Sequence, residues 1–181
     1  MSGRSKWNGW SVGSSTASRP DPRVPTAWRL AKTRYADAAF DGEGARVHGG
    51  RWNSVGVRVA YASESVALAV LEILAGTGKT SLLSSYSLMS ARFSASAVEV
   101  LAAGELPGNW RNYPPPPDTQ RIGDRWIAEC RSLVLRVPSA IIETESNFLL
   151  NPLHPAFTSI ERSAPMPFDF DPRLVAAVRK R

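Results

Sequence analysis

Apolar positions follow two different periods along this chain, which predicts a mixture of helices and strands. Residues Ser63 to Ala75 are apolar around almost the whole circumference of a helix. Ser63 or Ser65 can cap the start of this helix and Gly76 can end it. Because hardly any polar face remains, the helix is expected to be buried.

Shorter segments of the chain have the alternating or β-branched character of strands. Strands are predicted at Trp28–Leu30, Val57–Tyr61, Leu82–Phe93, Ala97–Leu101, Ser132–Val137 and Phe168–Leu174, and a second helix over Thr119–Cys130. Helices and strands alternate irregularly and without an internal repeat, which favours one mixed α+β domain. Residues 1–25 are rich in Ser, Gly, Arg and Pro and are predicted to be a flexible extension before a domain over residues 26–181.

Polar and aromatic groups are concentrated in the turn Gly49-Gly50-Arg51-Trp52-Asn53. Two glycines allow unusual backbone conformations and close approach of a ligand, and the guanidinium offers a planar fork of donors to an anion. The turn leads into a predicted strand and then into the apolar helix. This unit is interpreted as a nucleotide site.

Glu72 is the one conspicuous carboxylate inside the apolar helix. Its helical neighbours Leu68, Ala69, Ala75 and Gly76 form a small apolar surface, so Glu72 does not belong to a solvated stripe. A carboxylate in such surroundings needs a cation or hydrogen-bond donors, or it takes up a proton.

Composition narrows the function classes. The 181 residues carry a net charge of +6, which favours anionic ligands or acidic partners, but the only tight basic cluster is at residues 179–181 and direct nucleic-acid binding is not expected. Cys130 is the only cysteine, so an internal disulfide and a multi-thiolate metal site are excluded, and no metal is expected. No secretion signal or membrane-spanning stretch is recognisable, which predicts a cytoplasmic protein that does not enter a membrane.

Several blocks of the chain, in order from about Ala27 to Leu174, resemble the RES-domain family. The blocks are Trp28-Arg29-Leu30, Gly42-Glu43-Gly44-Ala45, Gly49-Gly50-Arg51-Trp52-Asn53, Tyr61, Ala67-Leu68-Ala69 with Leu71-Glu72, Gly123-Asp124 with Trp126, Val137-Pro138-Ser139, and Asn147 through Asn151-Pro152 to His154. The resemblance implies a fold similar to ADP-ribosyltransferases. It also implies a toxin of a bacterial toxin–antitoxin pair, with an Xre-type helix-turn-helix antitoxin occluding the active site, and NAD as substrate.

The resemblance also assigns site residues. Arg29, Arg51, Tyr61, Glu72 and Ser139 fall on the family's active-site pattern, with Tyr35 as an addition. Ser146, in a neighbouring block, is an alternative to Ser139 as the functional serine.

The chemistry of NAD cleavage gives these residues roles. Glu72 would stabilise positive charge developing on the ribose, and Arg29 and Arg51 would bind the pyrophosphate. Without a ligand, Arg51 would instead pair with Glu72. Tyr35, Trp52 and Tyr61 would flank the nicotinamide, and Ser139 would bond a carboxamide or a ribose hydroxyl.

Three functions remain open from the sequence. The first is a toxin that breaks the nicotinamide–ribose bond and depletes cellular NAD, with phosphate or water as acceptor. The second is a protein mono-ADP-ribosyltransferase toxin that uses NAD as donor. A non-catalytic polyanion-binding module is the third, although such a surface does not require a carboxylate at position 72.

Overall fold

The structure of the protein is a computed structural model that describes residues 24–77 and 85–174. Within these ranges the helices are α1 (Glu43–His48), α2 (Val66–Thr77) and α3 (Pro117–Glu129). The strands are β1 (Thr26–Lys32), β2 (Ala60–Ser63), β3 (Tyr86–Arg92), β4 (Val98–Val100), β5 (Val134–Pro138), β6 (Ser146–Leu150), β7 (Glu161–Arg162) and β8 (Met166–Phe168). The extension predicted for residues 1–25 lies outside the described residues except for its last two positions.

The described strands form one sheet in the order β4-β5-β6-β2-β1-β3-β7, with β8 also paired to β3. Neighbouring strands are antiparallel except for the parallel pair β4 and β5. One sheet with helices between its strands is a mixed α+β arrangement, so the predicted fold class is confirmed. None of the helices in the described ranges is long and apolar enough to cross a membrane.

Helix α2 packs on the sheet and carries Glu72. Its start is fixed by Ser65, whose side chain accepts a hydrogen bond from the Leu68 N–H at 3.0 Å, whereas Ser63 belongs to β2. Val70, Ile73 and Leu74 pack against a cluster built on Leu30 and Ala69. This packing determines which face of α2 is turned toward the sheet, and it leaves Glu72 half-buried above β2 and β6.

The second predicted helix begins two residues earlier and ends one residue earlier than Thr119–Cys130. Pro117 occupies the first helical position, where its missing N–H costs no hydrogen bond, and Cys130 ends the helix in the left-handed conformation with φ of 50°. Gly123 faces the backbone of Trp52 so closely that a Cβ would lie 1.7 Å from the Trp52 carbonyl oxygen. Helix α3 is therefore in direct contact with the glycine turn.

The strand predicted over Phe168–Leu174 is wrong. Strand β8 ends at Phe168, and the Asp171 side chain accepts from the Arg173 N–H at 2.8 Å, which turns the chain out of the sheet. The alternating aromatic residues that suggested a longer strand are explained by Phe170, which is buried edge-on against Tyr86 at 5.2 Å.

Candidate functional site

The glycine turn is held by close backbone packing. Gly49 has φ of 69° and ψ of −180°, a conformation that only glycine adopts readily. A Cβ on Gly50 would lie 2.6 Å from the Tyr61 hydroxyl and 2.8 Å from Asn53 Oδ1. The glycines thus bring the turn against strand β2, which carries Tyr61.

Asn53 and Tyr61 hold the turn together. The buried Asn53 amide donates to the carbonyls of Ala45, Ser54 and Val57 at 2.9–3.1 Å. The Tyr61 hydroxyl donates to Asn53 Oδ1 at 2.7 Å and accepts from the Trp52 N–H at 3.0 Å. Burial raises the pKa of Tyr61 well above its usual range, so the phenol stays protonated. The Tyr61 hydroxyl is committed to the turn, and its ring remains as part of a cavity wall.

Trp52 lies in the core. Its side chain is 2% exposed and packs beside Trp110 with ring centroids 6.4 Å apart. It forms part of the wall of the cleft described below, but most of the indole is covered. A stacking contact between Trp52 and a nicotinamide therefore stays a prediction.

Glu72 is bound through one carboxylate oxygen. Its Oε1 accepts from Asn147 Nδ2 at 2.6 Å and from Ser139 Oγ at 3.1 Å. Within the described residues no hydrogen bond reaches Oε2. Glu72 therefore receives its hydrogen bonds from two neutral side chains and not from a cation. Its Oε2 remains available to a ligand.

Ser139 is fully buried, and its hydroxyl is saturated. The oxygen accepts from the backbone N–H groups of Ile141 and Ile142 at 3.1 and 3.2 Å, and the single proton goes to Glu72. The Ser139 hydroxyl therefore donates to Glu72 and has no further proton for a ligand. Ser146 is turned elsewhere, since its hydroxyl accepts from Arg136 Nε at 2.9 Å.

Two adjoining cavities meet at Glu72. The larger one, of about 480 Å³, has Arg51 and Arg111 in its wall, together with residues of the loop before α3 and of the loop after β5. The smaller one, of about 150 Å³, is lined by Arg29 and neighbouring residues of β1. Tyr61, Glu72 and Asn147 line both. Each cavity is therefore lined by Glu72 and by at least one arginine.

Arg51 does not pair with Glu72 in the described structure. Its Nη1 donates to the backbone carbonyls of Trp110 and Asn112 instead. Partial burial lowers the pKa of Arg51, and the attraction of Glu72 opposes that shift. The hypothesis that the two residues form an ion pair across an empty site is therefore not what the structure shows.

Arg29 is a cation inside the sheet. Its Nη1 donates to the Tyr61 carbonyl oxygen, and its Nε is buried without a partner among the described residues. Burial lowers the pKa of Arg29 to about 10, against the opposing attraction of Asp41, so the group stays charged at neutral pH. Strand alternation places this side chain opposite Met89, on the face away from Trp28 and Leu30.

Tyr35 lies outside the two cavities around Glu72. It is 57% exposed in the 3-10 turn Thr33–Tyr35, and the Arg34 guanidinium lies 4.7 Å from its ring centroid. Tyr35 lines a third cavity of about 410 Å³ that also reaches Arg29 and Asp41. The structure thus connects Tyr35 to Arg29 and not to Glu72.

A model of the RES domain matches residues 26–171. The chain belongs to the RES-domain family. This finding confirms the resemblance drawn from the sequence blocks.

Curated relatives of this RES domain are toxins. "Toxin Res" of Yersinia enterocolitica is 40% identical over 148 residues, which cover 81% of this chain and 97% of the relative. "Toxin Res" of Photorhabdus laumondii is 36% identical, covering 83% and 97% of the two chains. "Prs ADP-ribosylating toxin" of a Sphingobium strain is 34% identical, covering 82% and 95%. The chain is therefore a member of a toxin family.

A solved structure shares the fold of this RES domain. It is the crystal structure of the MbcT–MbcA toxin–antitoxin complex of M. tuberculosis, with a TM-score of 0.68, 18% identity, and coverage of 87% of this chain and 90% of that one. At this identity the likeness concerns the fold.

Two residues of the RES-domain cleft were missed as functional candidates by sequence reasoning. Arg111 lines the larger cavity while its guanidinium bonds Glu143 and the Ala140 carbonyl. The sequence indicated Asn147 only as the first residue of a block that resembles the family. No spacing rule links either residue to Glu72, because each reaches the site from a distant part of the chain.

Proposed function

We propose that the protein is a toxin that cleaves NAD at the bond between nicotinamide and ribose. The observation that carries the proposal is that Glu72, whose Oε2 has no hydrogen bond among the described residues, lines two cavities that are each also lined by arginine. Charge-assisted donors on both sides suit the pyrophosphate, and a carboxylate at the junction suits a sugar that gains positive charge.

The reaction needs little covalent participation by the protein. The bond between nicotinamide N1 and ribose C1′ breaks with its electron pair moving to N1, which neutralises the pyridinium. An oxygen of water or phosphate forms the new bond to C1′, and the proton of water passes to solvent. Glu72 Oε2 would stabilise the oxocarbenium-like sugar, as carboxylates do in glycoside cleavage.

Release of nicotinamide tests the proposal. Purified protein incubated with NAD should release nicotinamide, and products formed with and without phosphate identify the acceptor. Glu72→Gln should lower kcat by roughly 100-fold or more, because it removes the charge facing the sugar. Glu161→Gln makes the same change at an exposed carboxylate that pairs with Arg92 outside both cavities, and this matched control should keep full activity. Absence of nicotinamide release with either acceptor, together with strong salt-sensitive nucleic-acid binding, would support the polyanion-binding alternative instead.

Transfer of ADP-ribose to a protein is the second candidate, favoured by the name of the Sphingobium relative. The same cleft would serve, with a nucleophile of the target protein replacing water or phosphate. Labelled NAD added to a cell lysate separates the two activities. Covalent label on a discrete protein band indicates transfer, whereas label only in small molecules indicates NAD degradation.

An antitoxin partner is part of the proposal. The structural neighbour was solved as a toxin–antitoxin complex, and unrestrained NAD loss would harm the producing cell. We propose an Xre-type antitoxin that covers the cleft, with acidic groups facing Arg51 and Arg111. Co-expression with the antitoxin should suppress nicotinamide release and growth arrest, and an inhibited complex whose cleft still accepts NAD would contradict occlusion.

A further inference from the structure

Asn147 and Ser63 form a second layer of hydrogen bonds behind Glu72. The Ser63 hydroxyl donates to Asn147 Oδ1 at 2.8 Å, and Asn147 Nδ2 donates to Glu72 Oε1 at 2.6 Å. Ser63 is buried and Asn147 is half-buried. The bond from Asn147 is shorter than the 3.1 Å bond from Ser139 to the same oxygen.

The direction of these bonds is determined by chemistry. A carboxylate only accepts hydrogen bonds, so the amide nitrogen of Asn147 must face Glu72. The amide oxygen then faces Ser63, whose hydroxyl supplies the proton. An amide turned the other way would put two acceptor oxygens together at 2.6 Å, which is unfavourable.

The sheet fixes the position of this pair. Ser63 in β2 and Asn147 in β6 are directly opposite each other in the antiparallel register, so their side chains lie on the same face. Strand β6 is bonded to β5 on its other side, which makes it an interior strand. Helix α2 brings Glu72 onto this face, and the donor that meets it is therefore carried by a rigid element.

We propose that Asn147, itself oriented by Ser63, is the positioning residue for Glu72. Its Nδ2 donates the second hydrogen bond to Oε1, beside the one from Ser139, and thereby turns Oε2 toward the junction of the cavities. The inference rests on the proposed function, in which Oε2 faces the ribose. Misplacing a reacting group by about 1 Å can cost roughly 100-fold in rate.

Three variants test this role in the full chain with NAD as substrate. Asn147→Leu removes the donor and should lower kcat by roughly 10- to 100-fold with little change in KM. Ser63→Ala should lower kcat by roughly threefold to tenfold, and should add no further loss in the Asn147→Leu background. Ser159→Ala, which removes an exposed hydroxyl bonded to the Ala156 carbonyl outside both cavities, is the control that should leave kcat unchanged.

Asn147→Asp supplies a readout that general damage to the structure would not produce. Two carboxylates sharing one site raise the pKa of one of them, so a proton is held between them at low pH. That proton restores a donor to Glu72 while Ser63 keeps its acceptor. The activity of Asn147→Asp relative to the unaltered protein should therefore rise as the pH falls from about 8 to 5, whereas the relative activity of Asn147→Leu should stay flat.

The outcomes separate this inference from the proposed function. Unaltered kcat in Asn147→Leu, a loss confined to KM, or a pH-independent ratio for Asn147→Asp would overturn the positioning role while NAD cleavage stands. If the unaltered protein releases no nicotinamide, the crystal structure of Asn147→Leu decides. A displaced Glu72 carboxylate supports the positioning role, and an unchanged carboxylate overturns it.

Discussion

At the residue scale, Arg29 is a buried cation whose hydrogen-bonding groups are only partly satisfied within the described residues. The guanidinium is charged at neutral pH, although burial lowers its pKa to about 10 and its Nε is buried without a partner in the described residues. A buried donor without a partner costs roughly 1–3 kcal/mol. The unpaired Nε therefore weakens the fold, whereas the positive charge of Arg29 favours an anionic ligand nearby.

Arg29→Met should leave the free energy of unfolding unchanged or raise it by up to about 1 kcal/mol, because the unpaired donor is removed. NAD affinity should fall by roughly tenfold or more, since a charge-assisted bond is lost. Urea unfolding and calorimetric titration measure the two effects. Arg92→Met is the matched control, because Arg92 also has a buried Nε without a partner but lies outside the two cavities at Glu72. Equal NAD affinity in Arg29→Met and Arg92→Met would contradict a binding role for Arg29.

Arg111 faces the larger cavity beside Arg51, and we expect it to contact a phosphate of the substrate. Arg111→Met should lower kcat/KM for NAD by about tenfold, corresponding to one charge-assisted hydrogen bond. Arg121→Met makes the same change of charge on the exposed surface of α3 and should have no effect. Steady-state kinetics at constant ionic strength compares them. A similar loss in both variants would attribute the effect to net charge and not to contact.

At the scale of elements, the glycine turn depends on α3 as well as on its own sequence. Gly123 of α3 packs against the backbone of Trp52 in the turn, and the Tyr61 hydroxyl of β2 accepts a hydrogen bond from the Trp52 N–H. Arg51 immediately precedes Trp52, so its position follows from this packing. We therefore expect the site to be sensitive to changes in a helix that lines neither of the two cavities at Glu72.

Gly123→Ala should lower the free energy of unfolding by about 2 kcal/mol or more, because the added methyl group meets the Trp52 carbonyl and forces the backbone apart. Nicotinamide release should fall with it as Arg51 moves. Gly44→Ala is the matched helical control, since nothing lies within 4 Å of its added methyl group. That control should be neutral or more stable by roughly 0.5–1 kcal/mol, and thermal unfolding of both variants checks the contrast.

At the scale of the whole molecule, the described fold and the family match cover nearly the same residues. The RES domain match begins at residue 26, and β1 begins at Thr26. The carbonyl of Pro25 already accepts from the Phe93 N–H at 3.3 Å. The division between an extension and a domain near residue 25 stays a prediction that deletion can test.

A chain that begins at Val24 should release nicotinamide with the same kcat/KM as the full chain. A chain that ends at Pro165 should instead lose its cooperative thermal transition, because it lacks β8 and the buried ring of Phe170. Lower activity of the chain beginning at Val24 would show that residues 1–23 contribute to the site. Circular dichroism on both truncated chains provides the comparison.

The sequence alone determined the features that depend on local chemistry. An apolar helix with one carboxylate, a double glycine before arginine and an arginine between two apolar strand residues are each readable in a few consecutive positions. The ordered blocks then identified the family, which the match over residues 26–171 confirms. The bounds of the elements shifted by a few residues, because Ser65 caps α2 and Pro117 begins α3.

Only the tertiary structure decided which groups satisfy Glu72. Arg51 was the expected partner, but the donors are Asn147 and Ser139, which are 75 and 67 residues away in sequence. The contact of Asn147 with Ser63 follows from the register of β2 against β6, and the approach of Arg111 follows from the loop before α3. Hydrogen bonds require positions accurate to a few tenths of an ångström, which are set by strand pairing and helix packing and not by the order of residues.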